Sequence, residues 1–304
     1  MPESYIAEER LSQHSRHFYN TGDIVLQAHT VLFRVHKDVL CQHSEVFKDI
    51  FELAEPENAE DPPATPSDAD PRIVIYDNPD ELALLLDFLY GNYINYENTK
   101  RCLRLTLLAH KYDISTLVEI CCNHVICQLP IDSTAEAHET VSKYRDDPTL
   151  IPLALRVARL VEVPELLPWV LYMLSVQSDA DYHLSTQSEE DRLLVQSYAG
   201  VTQKIRDMHP TIAEWWDEVV CDFVGGDCGA NDWDCARGYE YSIEYGDIDD
   251  SLVKVKSGER DPIRKIWESS IDDLCASCEE DWSDCTFKLM ESLFEEFENI
   301  IRSS

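Results

Sequence analysis

Two short runs of β-branched and aromatic residues near the N-terminus constrain the fold most. They are Asp23–Gln27 (Asp-Ile-Val-Leu-Gln) and Val31–Val35 (Val-Leu-Phe-Arg-Val), and the tight break Ala28-His29-Thr30 separates them. Strand-forming runs on both sides of so short a break predict a β-hairpin. Because an isolated hairpin is at best marginally stable in water, these strands require further strands or helices that cover them.

The residues after the hairpin supply those elements. His36–His43 is predicted to be a short helix, and Ser44 is a good N-cap for a second helix that runs to about Ala54. Residues 55–72 contain five prolines among acids and almost nothing that can be buried, which is typical of a solvated loop. Ile73–Tyr76 is predicted to be a further strand.

Pro79 opens a helix with a regular apolar stripe that ends at Gly91. Two more helices are predicted at about 98–112 and 115–128. We therefore expect the leucine-striped helices to cover the small sheet that Asp23–Val35 begins. The stripe leucines recur at i, i+3, i+4 and i+7 and are Leu82, Leu85, Leu86 and Leu89.

Several sequence blocks of the first 130 residues follow one another in a distinctive order. They are Asp23-Ile-Val-Leu26, Leu32–Leu40, Ser44–Phe51, Glu81–Gly91, Leu107–Ile114 and Leu117–Cys121. In this order, these blocks resemble the BTB/POZ family. The resemblance implies an α+β domain that binds other protein chains, at residues 1–130 with its core from about 15. The segment Leu153–Trp169 is similar to the region after this domain in many fungal BTB proteins of unassigned function.

Residues 131–304 are predicted to form an all-α C-terminal region, interrupted by an irregular Cys- and Asp-rich insert at 221–250. Prolines at 148, 164, 168 and 210 mark breaks between its helices. The predicted helices cover about 133–145, 150–161, 165–177, 188–207, 211–223, 261–281 and 284–302.

The resemblance also implies a homodimer. In the family, an acid before the first strand and a base after the histidine form a charged pocket at the dimer interface, and these positions correspond to Asp23 and Lys37. Family dimers often use an N-terminal helix, which Tyr5–Phe18 would supply here. Its interface residues would be Ile6, Leu11 and Phe18. An ordinary surface Asp and Lys, and a lost or weak dimer, are the alternatives.

A subset of the family delivers substrates to the cullin scaffold of ubiquitin ligases through an apolar-x-Glu motif. Leu53-Ala54-Glu55 has these residue types but stands about two positions early. A cullin adaptor that binds through Leu53 and Glu55 is therefore the second functional hypothesis. No substrate-binding repeats accompany it.

Six of the eleven cysteines lie in the last third of the chain. Cys275-x-x-Cys278 has the spacing of a zinc-binding pair, and Cys221 and Cys228 could complete a structural zinc site. Residues 213–251 carry twelve acids and one base, which favours a nearby cation. The alternative is that these are buried thiols, because Cys275, Cys278 and Cys285 share one stripe of a predicted helix.

Charge and motifs narrow the function class. The formal charge of −34 disfavours binding to nucleic acid and to anionic membranes, and no apolar run is long enough to span a bilayer. With no secretory signal and an odd cysteine count, we expect an intracellular protein, cytoplasmic or nuclear. Because hydrolase, metalloprotease and phosphate-loop motifs are absent, we expect no catalysis; an enzyme in the C-terminal half is the competing hypothesis.

Overall fold

A computed structural model describes residues 10–54, 71–127, 147, 149–177, 188–224, 228, 261–267 and 274–304. The chain divides into two compact units between His124 and Val125. The first unit combines a sheet with helices, and the described part of the second is helical. The predicted fold class, an α+β domain followed by an α-helical region, is therefore confirmed.

A mixed four-stranded sheet forms one layer of the first unit. Strands β2 and β3 make the predicted antiparallel hairpin, and His29 takes a positive φ of 51° in its turn. Strand β1 pairs parallel with β3 and β4 pairs parallel with β2, so the strand order is β1-β3-β2-β4. The strands are β1 Ser12–Phe18, β2 Ile24–Ala28, β3 Val31–Val35 and β4 Arg72–Ile75.

The predicted helix at Tyr5–Phe18 is wrong for the residues that the structure describes. Ser12–Phe18 forms strand β1, while Ile6 lies outside the described residues. The reason is tertiary pairing: the Ser12 N–H donates to the Thr30 carbonyl at 2.8 Å, and the Tyr19 N–H donates to the Arg34 carbonyl at 2.9 Å. The hydrogen bonds to β3 satisfy the polar groups of this backbone. The apolar stripe of the segment is too weak to stabilise a helix instead.

Five helices complete the first unit. The leucine stripe of α3 is buried as predicted, with Leu82, Leu85 and Leu86 fully inaccessible to solvent. Asn78 caps α3 by accepting the N–H groups of its first turn, ahead of Pro79. The helices are α1 Lys37–His43, α2 Glu45–Ala54, α3 Pro79–Leu89, α4 Thr99–Lys111 and α5 Ser115–Ile126. The predicted loop at 55–72 lies outside the described residues up to position 70.

Ser44 joins two parts of this core. Its hydroxyl oxygen accepts the N–H of Phe47 at 3.1 Å, which is the predicted N-cap of α2. The same hydroxyl donates to the backbone carbonyl of Tyr112 at the end of α4. The Phe47 ring stacks on the Tyr112 ring with centroids 4.2 Å apart. The cap of one helix therefore fixes the end of another.

The second unit is built around the apolar helix α7, on which Trp169 and Tyr172 are fully buried. All six tryptophans of the chain lie at position 169 or later, so none lies in the first unit. The described helices are α6 Leu150–Leu160, α7 Leu167–Val176, α8 Glu189–Ser197, α9 Ala199–Asp207, α10 His209–Val224, α11 Pro262–Trp267 and α12 Ala276–Arg302.

Three helix predictions in this unit are wrong in their bounds. The helix predicted over 261–281 is interrupted, because Cys275 is the extended N-cap residue at which α12 begins. The helix predicted over 188–207 is broken at Tyr198, which leaves helical geometry with φ −98° and ψ 3°. The predicted break near 282 does not exist, because α12 runs unbroken through Trp282. That side chain is buried and packs edge-on against Trp216 at 5.2 Å, which favours a continuous helix there. The predicted helix at 133–145 lies outside the described residues.

Candidate interaction surface

Asp23 caps helix α1 from a neighbouring strand. Its side chain is exposed, and Oδ1 accepts the backbone N–H of Lys37, the first residue of α1, at 2.8 Å. His36, the residue at the N-cap position of that helix, makes no side-chain capping bond. The Asp23 carboxylate therefore performs the capping role, and its negative charge suits the positive end of the helix.

Three of the predicted interface residues lie near the end of strand β3. Phe18 pairs with Arg34 in the β1–β3 register, and the Asp23 N–H donates to the Val35 carbonyl at 3.0 Å. Lys37 begins α1 two residues later. We call the surface formed by Phe18, Asp23 and Lys37 the strand-end surface.

Leu11 lies at the other end of the sheet. It precedes Ser12, which pairs with Val31 beside the hairpin turn, and 44% of Leu11 is exposed. Six residues separate Leu11 from Phe18, but β1 is irregular between Gln13 and Phe18. Because Ser12 pairs with Val31 and Phe18 pairs with Arg34, the two ends of β1 lie about 10 Å apart along β3. The predicted interface residues are therefore divided between two ends of β1 instead of sharing one helix face.

The segment that carries the strand-end surface differs in charge from the rest of the protein. Residues 10–48 contain five basic and three acidic residues, whereas the remainder contains 20 basic and 56 acidic residues. This segment is slightly basic in a chain whose formal charge is −34. Long-range repulsion between two copies is therefore lower where this segment faces the other copy than the net charge of the chain implies.

A buried carboxylate that sequence reasoning missed ties β1 to helix α3. Asp87 Oδ1 accepts from Arg16 Nη1 at 2.6 Å, His17 Nε2 at 3.0 Å and Asn92 Nδ2 at 3.2 Å. Asp87 is buried and His17 is completely inaccessible to solvent. The available signal was an acid next to Leu86 in a buried leucine stripe, since a buried acid requires partners.

His17 is held neutral in this network. Burial, with smaller effects of the neighbouring His14 and Arg16, lowers the pKa of His17, although the Asp87 carboxylate acts in the opposite direction. Its Nε2–H therefore donates to Asp87, and its Nδ1 accepts from the Tyr19 hydroxyl at 3.3 Å. The contact is a hydrogen bond from a neutral ring to a carboxylate.

Stacked aromatic rings continue from His17 toward helix α1. The rings of Tyr19 and Tyr90 stack with centroids 4.7 Å apart, and the Tyr90 hydroxyl accepts the His36 N–H at 2.9 Å. His36 Nε2 lies 2.9 Å from the Thr21 hydroxyl. Burial raises the pKa of both tyrosines, so their hydroxyls stay protonated near neutral pH. These contacts hold the segment between β1 and β2 at two points, Tyr19 and Thr21.

The predicted cullin-contact pair is only half described. Leu53 lies in the last turn of α2 and is 87% exposed, while Glu55 lies outside the described residues. Val74 and Tyr76 lie two residues apart on the solvent side of β4 and are also exposed. Exposed apolar residues of this size are unfavourable in water unless another surface covers them.

Three of the four cysteines predicted to bind metal lie together in the second unit. The sulfur atoms of Cys228, Cys275 and Cys278 lie within 4.8 Å of one another, and Cys228 and Cys278 are buried. Cys275 is the residue at the N-cap position of α12 and Cys278 lies in its first turn. Cys221 is exposed on α10 and is not in this group.

The first unit is therefore an α+β recognition domain with an exposed, charged strand end and no helix-forming N-terminal arm among its described residues. The family model of the BTB/POZ domain matches residues 12–129. This part of the chain is a BTB/POZ domain, a protein–protein interaction module, and the predicted family resemblance is confirmed. No curated protein matches the chain.

The helices give no sign of a membrane span. Among the described residues, none is both long enough and apolar enough to cross a bilayer.

Proposed function

We propose that the protein is an interaction scaffold whose BTB/POZ domain pairs with the same domain of a second copy. The observation that carries the proposal is the strand-end surface, where the exposed Asp23 carboxylate accepts the backbone N–H of Lys37 and the Lys37 ammonium group lies 6.0 Å from the centre of the Phe51 ring. A surface that carries an acid and a base side by side can be complementary to itself across a two-fold axis. Each Asp23 would then face the Lys37 of the other copy.

The charge distribution supports pairing through this end. Two chains of formal charge −34 repel each other at long range. The slightly basic segment 10–48 lowers that repulsion locally. Exposed ion pairs alone would stabilise the dimer only weakly. Phe18 is partly exposed, so its burial in the dimer would add apolar area to the contact.

Sedimentation equilibrium of the full chain tests the proposal. We expect a reversible dimer at micromolar concentration. Asp23→Asn is the informative variant: the amide oxygen still accepts the Lys37 N–H, so α1 keeps its cap while the charge is removed. It should weaken the dimer about tenfold or more, as expected for loss of a close interfacial charge pair.

Asp38→Asn is the matched control. Asp38 is exposed in the first turn of the same helix, so this variant makes the same change in net charge without touching the cap. It should leave the dimer within about twofold of the wild type. A chain that stays monomeric, or equal weakening by both variants, would contradict pairing through the strand-end surface.

A cullin adaptor is the second candidate, and the exposure of Leu53 favours it. A leucine that is 87% exposed at the end of a helix is available to a partner groove. Binding of purified cullin N-terminal domain to the full chain tests this directly, with Leu53→Ala as the variant and Leu193→Ala, exposed in the second unit, as the control. Absence of binding, or binding that survives Leu53→Ala, would remove the proposed contact.

A further inference from the structure

The structure groups three thiols in the second unit, separately from the interaction surface. We propose that Cys228, Cys275 and Cys278 bind one zinc ion that stabilises this unit. Their sulfur atoms come from places 47 residues apart in the chain and still lie within 4.8 Å of one another. Such a grouping is produced by the tertiary fold and not by sequence proximity alone.

The sulfur separations suit a shared ion. Two sulfurs on one tetrahedral zinc, each about 2.3 Å from the metal, lie about 3.8 Å apart. The sulfurs of Cys228 and Cys275 are 3.6 Å apart, which matches this value. That separation is far from the roughly 2.05 Å of a disulfide, so the two side chains are not bonded to each other. The third sulfur, at no more than 4.8 Å, needs only a small side-chain adjustment.

Two of the three cysteines lie at a helix end that suits a charged metal–sulfur group. Cys275 and Cys278 stand at the N-terminal end of α12, a helix of 27 residues. Helix N-termini stabilise negative charge through their N–H groups and dipole. Zinc displaces the thiol protons on binding, so three S–H bonds give way to three Zn–S bonds and three protons leave to solvent. One position of the tetrahedron remains for a fourth ligand.

The acidic sequence on both sides of Cys228 disfavours three thiolates without a cation. Residues 213–251, which lead into and past Cys228, carry twelve acids and one base. Negative charge of this density opposes further negative charge unless a divalent ion offsets it. The remaining alternative is a cluster of neutral buried thiols, and it predicts no metal.

Metal analysis of the full chain, purified with a phosphine reductant and dialysed against a weak chelator, tests the proposal. We expect about one zinc per chain, and below about a tenth in Cys278→Ser and Cys228→Ser. Cys285→Ser is the matched control, because Cys285 lies on the same helix two turns on and outside the group, and it should retain the metal. Wild-type protein without zinc, or equal loss in Cys285→Ser, would overturn the proposal.

Cobalt substitution separates a thiolate site from ions held by the acidic surface. Co²⁺ bound by these cysteines should give an intense sulfur-to-metal charge-transfer band and the visible spectrum of a tetrahedral ion. The band intensity should correspond to at least three Co–S bonds, and surface carboxylates give no such band. This readout uses wild-type protein, so it stands even if a cysteine variant fails to fold. A spectrum with fewer than three Co–S bonds would overturn the assignment.

Tryptophan fluorescence reports where the metal acts. Trp282 lies one helical turn after Cys278 and packs against Trp216 and Phe223 of α10. Because all six tryptophans belong to the second unit, their unfolding transition follows that unit alone. A strong chelator should lower the midpoint of this transition and leave the BTB/POZ domain unchanged in hydrogen exchange. A transition that does not respond would refute a stabilising metal.

Discussion

The Asp87 carboxylate should contribute more to stability through His17 than through Arg16. Both groups bond to Oδ1, at 3.0 Å and 2.6 Å, so distance alone would favour the arginine. Burial reverses this order: the Arg16 side chain is 60% exposed, whereas the His17 side chain is completely buried. Water can replace the carboxylate around Arg16 but cannot reach His17.

The magnitude follows from these exposures. Arg16→Ala should cost about 1 kcal/mol or less, as expected for an exposed ion pair. Asp87→Ala leaves the buried His17 N–H without an acceptor, which costs about 1–3 kcal/mol, and it also removes the Asn92 bond, so we expect about 2–3 kcal/mol in total. Asp87→Asn keeps an acceptor oxygen for the ring N–H and should cost about 1 kcal/mol.

Hydrogen exchange measured by mass spectrometry on the β1 peptide of the intact chain is the appropriate assay, because the BTB/POZ domain contains no tryptophan. When closing is faster than exchange, each 1.4 kcal/mol accelerates exchange about tenfold, so Asp87→Ala should give about 30- to 150-fold faster exchange. Arg16→Ala should give at most about fivefold. Equal acceleration by Arg16→Ala and Asp87→Ala would refute the reasoning from burial.

Three further predictions follow from other contacts. Burial lowers the pKa of His209 to about 4, so between about pH 6.5 and pH 4 the unfolded chain binds a proton that the folded chain excludes. The free energy of unfolding of the second unit should therefore fall by up to about 3 kcal/mol as the pH drops through this range. In a His209→Gln variant, unfolding followed by tryptophan fluorescence should lose this pH dependence. Ser44→Ala removes the cap of α2 and the hydroxyl that donates to the Tyr112 carbonyl, and it should cost about 1–3 kcal/mol of stability. Hydrogen exchange should become faster in both α2 and α4. Unchanged exchange in α4 would argue against the idea that Ser44 stabilises both helices. Gly91 has a φ of +69°, and a Cβ atom added there would meet no other atom. Gly91→Ala should therefore cost about 1 kcal/mol through backbone strain alone, and Gly91→Asn should cost less. Hydrogen exchange at the end of α3 should be faster in the alanine variant than in the asparagine variant.

The sequence was informative where a local pattern and the tertiary fold agree. The hairpin at Ile24–Val35 follows from two strand-forming runs on either side of a tight break, and the stripe of α3 follows from a periodicity of 3.6 residues; the structure has both. Strand β1 could not be predicted, because its residues are mostly polar and only pairing with β3 makes them a strand. Its partner lies 18 residues away for Ser12 and Thr30, beyond any local signal.

The candidate sites show the same limit. Family resemblance pointed to Asp23 and Lys37, but only the structure shows that the acid caps the helix that begins at the base. Spacing identified Cys275 and Cys278 as a pair, whereas the approach of Cys228 depends on chain folding across 47 residues. Asp87 was overlooked because its partners His17 and Arg16 lie some 70 positions earlier.

The parallel direction of β1 has a practical consequence for labelling. The strand begins beside the hairpin turn, where Ser12 meets Thr30, and runs toward the end of β3, where Asp23 lies. A fluorophore attached at Arg10, just before the start of β1, therefore lies at the opposite end of β3 from Asp23. Energy transfer between labelled copies could then report how two domains are oriented without a dye occupying the contact itself.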